Sequence, residues 1–350
     1  MHPRLATLGW DPAWEAVRSA LALDDLAPAR VAMQHRGGYV LYDADGEAAA
    51  VVSGRFRHET HVPADFPAVG DWVLARDGVI HAVLPRRTSF SRKAADTLAE
   101  EQVAAANVDV VFAVEALGGV PNLRRIERYL TVAYESGARP VVLLSKADLS
   151  ADLDAALASV GEIAPGTPVH ALSAYTGAGF EIFDLYCQTG RTAVFLGPSG
   201  VGKTTLLNVL TGEQRPTAAV LADGRGQHTT THRELVLVGR RGIVIDTPGM
   251  RELQLWDSDG GLSAVFPDID ALAARCRFDD CAHTGEPGCA VRAALDDGAL
   301  AHDRYAGYRK LEREEAFVTK KRDALAQSEE KRQRKIFARS IRRTGWRGRD

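Results

Sequence analysis

No stretch of the 350-residue chain approaches the ~20 consecutive apolar residues that a membrane-spanning helix needs, so no membrane span is expected. Cysteine is scarce. Four residues in a chain this long exclude a disulfide scaffold. Three of the four fall together, which in a reducing compartment points to metal. The opening MHPRLATLGWDPAWEAV lacks a basic start followed by an apolar core, so no signal peptide is expected and the expected compartment is the cytoplasm. No internal repeat is evident, which sets repeat architectures aside. What is left is an ordinary globular balance, 45% hydrophobic and 25% charged, on a length that allows two or three domains.

The net charge of −3 conceals an asymmetry. Residues 331–350, KRQRKIFARSIRRTGWRGRD, carry nine Lys/Arg and one Asp, a net of +8, which leaves −11 for the remainder. An acidic body with a basic tail points to a polyanionic partner reached by the tail; a solvated, idle end is the alternative. Ile336, Phe337 and Trp346 interleave with the cations, which suits a segment that orders on RNA.

Residues 1–27 mix helical pattern with turns. From 29 to about 90, short strand-like runs such as ARVAMQH, GYVLYD, GDWVLARDG and VIHAVLP alternate with Gly, Asp and Pro, which predicts a small antiparallel barrel. RRTSFSRKAADTLAEEQ then reads as a linker. From 106 the pattern alternates strand and helix, starting with the buried-type run NVDVVFAVEAL and a helix with Leu123, Ile126, Leu130 and Ala133 on one face. That alternation predicts a mostly parallel sheet with helices on both faces. Beyond about 258 the chain reads as helical.

Within the sheet region, Gly197-Pro198-Ser199-Gly200-Val201-Gly202-Lys203-Thr204 fits G-x-x-x-x-G-K-[ST], and Thr205 follows. A strand, TAVFLG, precedes it and a helix follows. Backbone N–H groups of such a loop wrap phosphate oxygens, and the helix N-terminus adds favourable partial charge. Lys203 is expected at the β- and γ-phosphates and Thr204 on Mg²⁺. Asp246-Thr-Pro-Gly249 ends another apolar run about forty residues after Lys203; Asp246 suits a role toward Mg²⁺, and the Gly249 N–H could meet the γ-phosphate. Between them, GRGQHTTTH is a polar loop in which Thr229 or Thr230 could close on Mg²⁺. Upstream stands Ser145-Lys146-Ala147-Asp148, close to the guanine-reading N/T-K-x-D motif. Asp148 would accept the two N–H groups on the guanine edge, Lys146 would lie along the base, and a backbone N–H of Ser173-Ala174 would meet the guanine carbonyl.

An ordinary GTPase presents these pieces with the phosphate loop first. Here the base motif leads by about fifty residues. Moving the last third of such a domain to its front produces this order, and a sheet is indifferent to where its chain is cut if the old ends lie close. The order is therefore that of a circular permutation.

With HRGGYVLYD, VGDWVLARDG, SKADL, GPSGVGKTTLLN, GQHTTTHREL, DTPGMREL and CRFDDCAHTGEPGCAV on the page, the chain resembles the ribosome small subunit-dependent GTPase A family of circularly permuted bacterial GTPases, over nearly its whole length. The resemblance implies an N-terminal OB-fold barrel, a permuted α/β P-loop domain and a mostly helical zinc domain. The expected division is an N-terminal extension at 1–28, the OB fold at 29–90, the GTPase domain at 97–256, the zinc domain at 257–319 and a basic tail at 320–350. It also implies GTP hydrolysis to GDP in late maturation of the small (30S) ribosomal subunit, with that subunit and its 16S rRNA as partners of a monomer. Ser145 departs from the pattern: serine keeps a hydroxyl where Asn or Thr is usual, but lacks the amide that ties neighbouring loops together.

Cys276, Cys281, His283 and Cys289 give C-x₄-C-x-H-x₅-C, a donor set for a closed, structural Zn²⁺ site. A core separate from the sheet's is expected there. Cys187 stands apart and reads as a small buried apolar residue. Tyr39, Tyr42 and Trp72 are candidate stacking aromatics on the barrel, Trp72 reading better as core.

After DTPG, where Ras-like proteins carry a water-orienting Gln, stand Met250 and Arg251. His228 is the candidate proton acceptor, so the catalytic candidates are His228, Lys203 and Thr230. A nucleotide-gated RNA-binding module with negligible turnover is the rival reading. An ATP-dependent enzyme is a weaker one, and Asp148 argues against it.

Overall fold

The computed structural model describes residues 2–23, 25–93, 101–214, 233–239, 242–246 and 260–320. Two short helices open the chain, α1 (Pro3–Thr7) and α2 (Pro12–Ala20), each begun by a proline. Proline suits a first helical position because its missing N–H would have no partner there. Asp11 caps α2 by accepting the Trp14 N–H at 2.9 Å.

Five strands then close into a barrel: β1 (Ala27–His35), β2 (Gly38–Tyr42), β3 (Glu47–Val52), β4 (Trp72–Arg76) and β5 (Val79–Val83), with helix α3 (Gly54–Glu59) between β3 and β4. β1 pairs with both β2 and β4, β2 with β3, and β4 with β5, all antiparallel. The closing pair, β3 with β5, is parallel. The expected small barrel is present, and its one parallel pair has a topological reason: five is odd, so directions cannot alternate all the way round.

Inward residues Val31, Leu41, Val73 and Ile80 fill the barrel, together with Tyr39. Trp72 points to the other face of β4, where Trp10 and Trp14 cover it at ring-centroid distances of 4.8 and 6.5 Å. The N-terminal helices are thus a lid on the outer barrel wall. Each indole buries roughly 150–250 Å², worth on the order of 4–6 kcal/mol at ~25 cal/mol per Å². Tyr39 and Trp72 are both buried and cannot serve as stacking platforms; Tyr42 is partly buried.

The segment read as a linker holds a hairpin instead, β6 (Ser89–Lys93) with β7 (Glu101–Ala106). Beyond it run β8 (Val110–Ala116), α4 (Leu123–Glu135), β9 (Arg139–Ser145), α5 (Leu153–Ile163), β10 (Val169–Ala171), α6 (Ile182–Tyr186), β11 (Thr192–Leu196), α7 (Lys203–Thr211), β12 (Glu234–Leu237) and β13 (Ile243–Asp246). The sheet order is β10-β9-β8-β11-β13-β12, parallel except for β12. One bridge, Met33 to Glu234, joins β12 to barrel strand β1. β8 alternates as a strand buried on both faces must. Val111 and Ala113 meet α4, while Val110, Phe112 and Val114 meet α6 and α7. Ile126, Leu130 and Ala133 are buried under α4 with Leu123 packed beside them, and Cys187 is buried as expected.

The C-terminal unit comprises α8 (Gly261–Val265), α9 (Pro267–Ala273), α10 (Ala290–Asp296) and a helical stretch at 302–320. Its Phe266, Ile269, Val291 and Leu300 belong to the same apolar cluster as α4 and one face of the sheet. The expectation of a separate core is therefore corrected: the unit is built onto α4.

Arg30, on the outward face of β1, is buried and donates to three carbonyls from three segments: Leu8 in the N-terminal lid, Gly70 before β4 at 3.2 Å and Asn107 before β8 at 3.1 Å. Gly70 has φ +95°, and a Cβ there would lie 2.1 Å from the Ala106 carbonyl oxygen, so only glycine fits this joint. Arg30→Met would leave these carbonyls without their cation. The expected loss is about 3–5 kcal/mol, read by urea denaturation, because each buried unsatisfied group costs roughly 1–3 kcal/mol.

Candidate functional site

The parallel strands end together, and the sequence candidates converge at their C-terminal edge. Ser145 closes β9, Ser173 follows β10, Gly197 follows β11 and Asp246 closes β13. Crevices at this edge of open α/β sheets are where ligands bind.

The loop from Gly197 to Gly202 joins β11 to α7. Gly200 and Gly202 sit at φ +82° and +98°, the left-handed region that glycine takes without strain. A Cβ on Gly197 would lie 2.7 Å from the Val114 carbonyl, so the loop crosses β8 at contact distance. Val201 is buried against the α6–α7 side of the sheet and anchors the loop. Lys203, first in α7, donates from Nζ to the Gly197 and Pro198 carbonyls at 2.7 and 2.8 Å, which holds the ammonium inside the loop's curl. Pro198, Ser199 and Thr204 are half-buried and Thr205 is exposed.

Ser145 is buried. Its hydroxyl donates to the Val201 carbonyl at 2.7 Å, with the Glu115 carbonyl at 3.3 Å, while the Leu117 N–H donates to its own carbonyl at 2.8 Å. The hydroxyl thus makes the tie between loops that the missing amide put in question. Lys146 takes a left-handed conformation at φ +56°, which turns the chain sharply out of β9 into a 3₁₀ turn at Ala147–Leu149. The Ala147 N–H donates to the Leu172 carbonyl at 3.1 Å. The exposed Asp148 carboxylate accepts the hydroxyl of buried Ser173, whose oxygen also accepts the N–H groups of Tyr175 and Thr176 at 3.2 Å. Ala174 packs against the apolar cluster below. The two parts of the expected base site are therefore bonded to each other directly.

His228, Thr229, Thr230 and Gly249 lie outside the described residues, as does the tail. Glu115 and Arg125 were not singled out in the sequence. Glu115 is buried near the end of β8, pairs with Arg125 of α4, and accepts the Asn122 N–H at 3.3 Å. Its signal was visible: one carboxylate in the otherwise apolar run VVFAVEAL.

In the C-terminal unit, the ligand atoms of Cys276, Cys281, His283 and Cys289 lie within 4.8 Å of one another and could hold a metal ion. His283 Nδ1 is 3.6 Å from Cys276 Sγ and 3.4 Å from Cys289 Sγ, and these two sulfurs are 4.0 Å apart. A tetrahedral ion with bonds of about 2.3 Å to sulfur and 2.0–2.1 Å to nitrogen sets edges of about 3.6–3.8 Å, so the donors present fit such an ion. Backbone N–H groups of Ala290 and Arg292 point at Cys276 and Cys289 sulfurs, each at 3.4 Å. Burial pushes the Cys276 thiol up, but the N–H groups of Val291 and Ala290 outweigh it and hold the thiol below its ordinary value.

A family model described as RsgA GTPase matches residues 83–256. The "Small ribosomal subunit biogenesis GTPase RsgA" of Opitutus terrae is 48% identical, covering 95% of this chain and 96% of that one. The like-named protein of Syntrophotalea carbinolica is 43% identical over 97% of each chain. Among solved structures, YjeQ from Thermotoga maritima aligns with a TM-score of 0.61 and 28% identity, over 83% of this chain and 99% of that one. YloQ, described as a circularly permuted GTPase, aligns at 0.56 and 25% identity, over 85% and 96%.

Two outcomes are expected from this geometry. Ser145→Ala deletes a buried donor and leaves the Val201 carbonyl unmatched, so urea denaturation should show a loss of about 1–2 kcal/mol. Cys281→Ser should abolish stoichiometric metal in the purified protein, measured by elemental analysis. Because the unit shares its core with α4, the thermal transition of the sheet domain should fall as well.

Proposed function

The chain belongs to the RsgA GTPase family, and from that premise we propose that it hydrolyses GTP to GDP and phosphate at the sheet edge, in the service of small ribosomal subunit biogenesis. The observation that carries this reading is the Ser145 hydroxyl on the Val201 carbonyl. It joins the base motif to the phosphate loop, two motifs that stand in reversed order along the chain, into one continuous wall.

In this reading Asp148, held by the Ser173 hydroxyl, accepts the guanine N–H groups. The backbone N–H of Ala174 meets the guanine carbonyl, and the stem of Lys146 lies along the base. The N–H groups from Ser199 to Thr205 wrap the phosphates. Lys203 leaves the Gly197 and Pro198 carbonyls for the β- and γ-phosphates. Thr204 and Asp246, joined by Thr229 or Thr230, hold Mg²⁺, which supplies neutralisation of charge on the phosphate oxygens. The Gly249 N–H meets the γ-phosphate.

A water oxygen attacks the γ-phosphorus in line. The bond from that phosphorus to the β,γ-bridging oxygen breaks, GDP leaves with the electron pair, and the water proton passes to His228. With Met250 in the position of a water-orienting side chain, the free protein is a slow enzyme, and docking on the small subunit and its 16S rRNA orders the site. The basic tail supplies phosphate contacts. Cys276, Cys281, His283 and Cys289 hold Zn²⁺ as a closed structural site, the usual metal for three thiolates and one imidazole. The protein acts in the cytoplasm as a monomer. No helix among the described residues is long and apolar enough to cross a membrane.

The test is GTP turnover by the full chain with and without purified small subunits. A clear rise with subunits is expected. GTP-dependent subunit binding without any turnover would instead establish a nucleotide-gated RNA-binding module. Asp148→Asn should weaken GTP roughly tenfold or more, the loss of one charge-assisted bond, while ATP binding stays unchanged. Equal GTP-over-ATP preference in mutant and wild type, read by nucleotide competition, would remove the base motif from the site.

A further inference from the structure

A second cavity, of about 450 Å³, opens at the opposite end of the parallel strands from the phosphate loop. It lies where the N-terminal lid, the barrel and the sheet meet. Four arginines line it: Arg30, Arg87, Arg139 and Arg191. Two of them are matched. Arg87 makes a two-pronged pair with Asp11 at 2.6 and 2.7 Å, and Arg191 pairs with Asp109 at 2.7 Å.

The other two are not. Arg30 is buried and gives its donors to the carbonyls of Leu8, Gly70 and Asn107, which solvate a cation without neutralising it. Arg139, at the exposed start of β9, rests on the Tyr186 ring at 5.1 Å from its centroid and has no carboxylate within ion-pair distance among the described residues. With Asp11 and Asp109 as the carboxylates of the lining, the wall carries a net charge of +2.

Trp10, Trp14 and Trp72, all buried, line one side of it. Low-dielectric walls strengthen and focus the field of the two unmatched cations. A planar guanidinium presents paired donors suited to phosphate or carboxylate oxygens, and two unmatched charges suit a dianion.

We propose that this cavity binds a small phosphate-bearing anion, with Arg139 in direct contact and Arg30 as the buried source of the field. An anion seated there would brace the lid and barrel against the sheet at the end remote from the nucleotide.

The test is isothermal titration of the full-length protein with pyrophosphate, in excess GDP and without magnesium, so that the phosphate loop is filled throughout. One site per chain is expected, weakening as salt rises. Arg139→Ala, a change at an exposed side chain that leaves the buried clamp intact, should reduce the affinity tenfold or more, and Arg139→Lys should retain part of it. The same additions should raise the thermal transition of the wild type but not of Arg139→Ala. Absence of binding to the wild type overturns the proposal. So does equal binding by Arg139→Ala, which would mean an adventitious ion only, and so does binding that is lost in Lys203→Ala yet kept in Arg139→Ala, which would place the anion at the phosphate loop.

Discussion

The Arg30 guanidinium is the joint on which the arrangement of the molecule depends. Burial drives its pKa down to about 10, which still leaves it charged at neutral pH, and no carboxylate touches it among the described residues. A charge in that position is tolerated only while polar groups surround it. The three carbonyls that do so come from the lid, the segment entering β4 and the turn entering β8. Orienting all three fixes the lid on the barrel and the barrel on the sheet. The surrounding details conform to it: Gly70 lets the barrel approach Ala106, Asn107 donates to the Gly70 carbonyl at 3.2 Å, and the three tryptophans seal the outer side.

A second chain of charges runs along α4. Arg125 pairs with Glu115 at the sheet edge. Further along, buried Glu127 meets Arg124 and Arg304, Arg304 forks onto Asp268 at 2.6 Å, and Arg128 forks onto Glu314 at 2.6 Å. Burial raises the Glu127 carboxyl even though two guanidinia draw it down. Buried pairs of this kind add little net stability but penalise any other docking, since removing one partner strands the other. Their effect here is orientation. α4 carries the metal unit on one flank, and its Arg125 holds the Glu115 side chain, while the Glu115 carbonyl faces the Ser145 hydroxyl. The Cys/His unit and the C-terminal edge of the sheet are thus attached to the same helix.

Circular permutation fits this plan without altering the sheet. β8, β9 and β10 come first in the chain yet lie beside β11 and β13, in an order governed by buried faces and not by sequence. In sequence the C-terminal helices follow β13, and they pack on α4. The sheet edge at Asp246 and the Cys/His unit are therefore consecutive in sequence, while α4 connects the two in space.

Much of the molecule was legible in the chain because its signals are local. Apolar runs broken by Gly and Pro marked the barrel strands. G-x-x-x-x-G-K-T announced its loop because the backbone needs glycine there, and the spacing of Cys276, Cys281, His283 and Cys289 announced a cluster of donors that could hold a metal ion. The cyclic order of five motifs disclosed the permutation. Other features depend on partners far away in sequence. Whether Trp72 is a stacking platform or a lidded wall depends on Trp10 and Trp14, and Tyr39 is lost to the barrel interior by the pairing of β2. The hairpin of β6 and β7 hid in a polar stretch because its strands are defined by each other. Serine at position 145 looked like a lost tie until folding brought the Val201 carbonyl to its hydroxyl. Arg30 gave no sign of its role, because three carbonyls around one guanidinium are a property of three segments packed together. The sequence by itself determined most of the elements and the order of the motifs, since each is written in neighbouring residues. Only the tertiary structure decided which polar groups are matched, since a buried charge is settled by whatever the fold brings within hydrogen-bond reach.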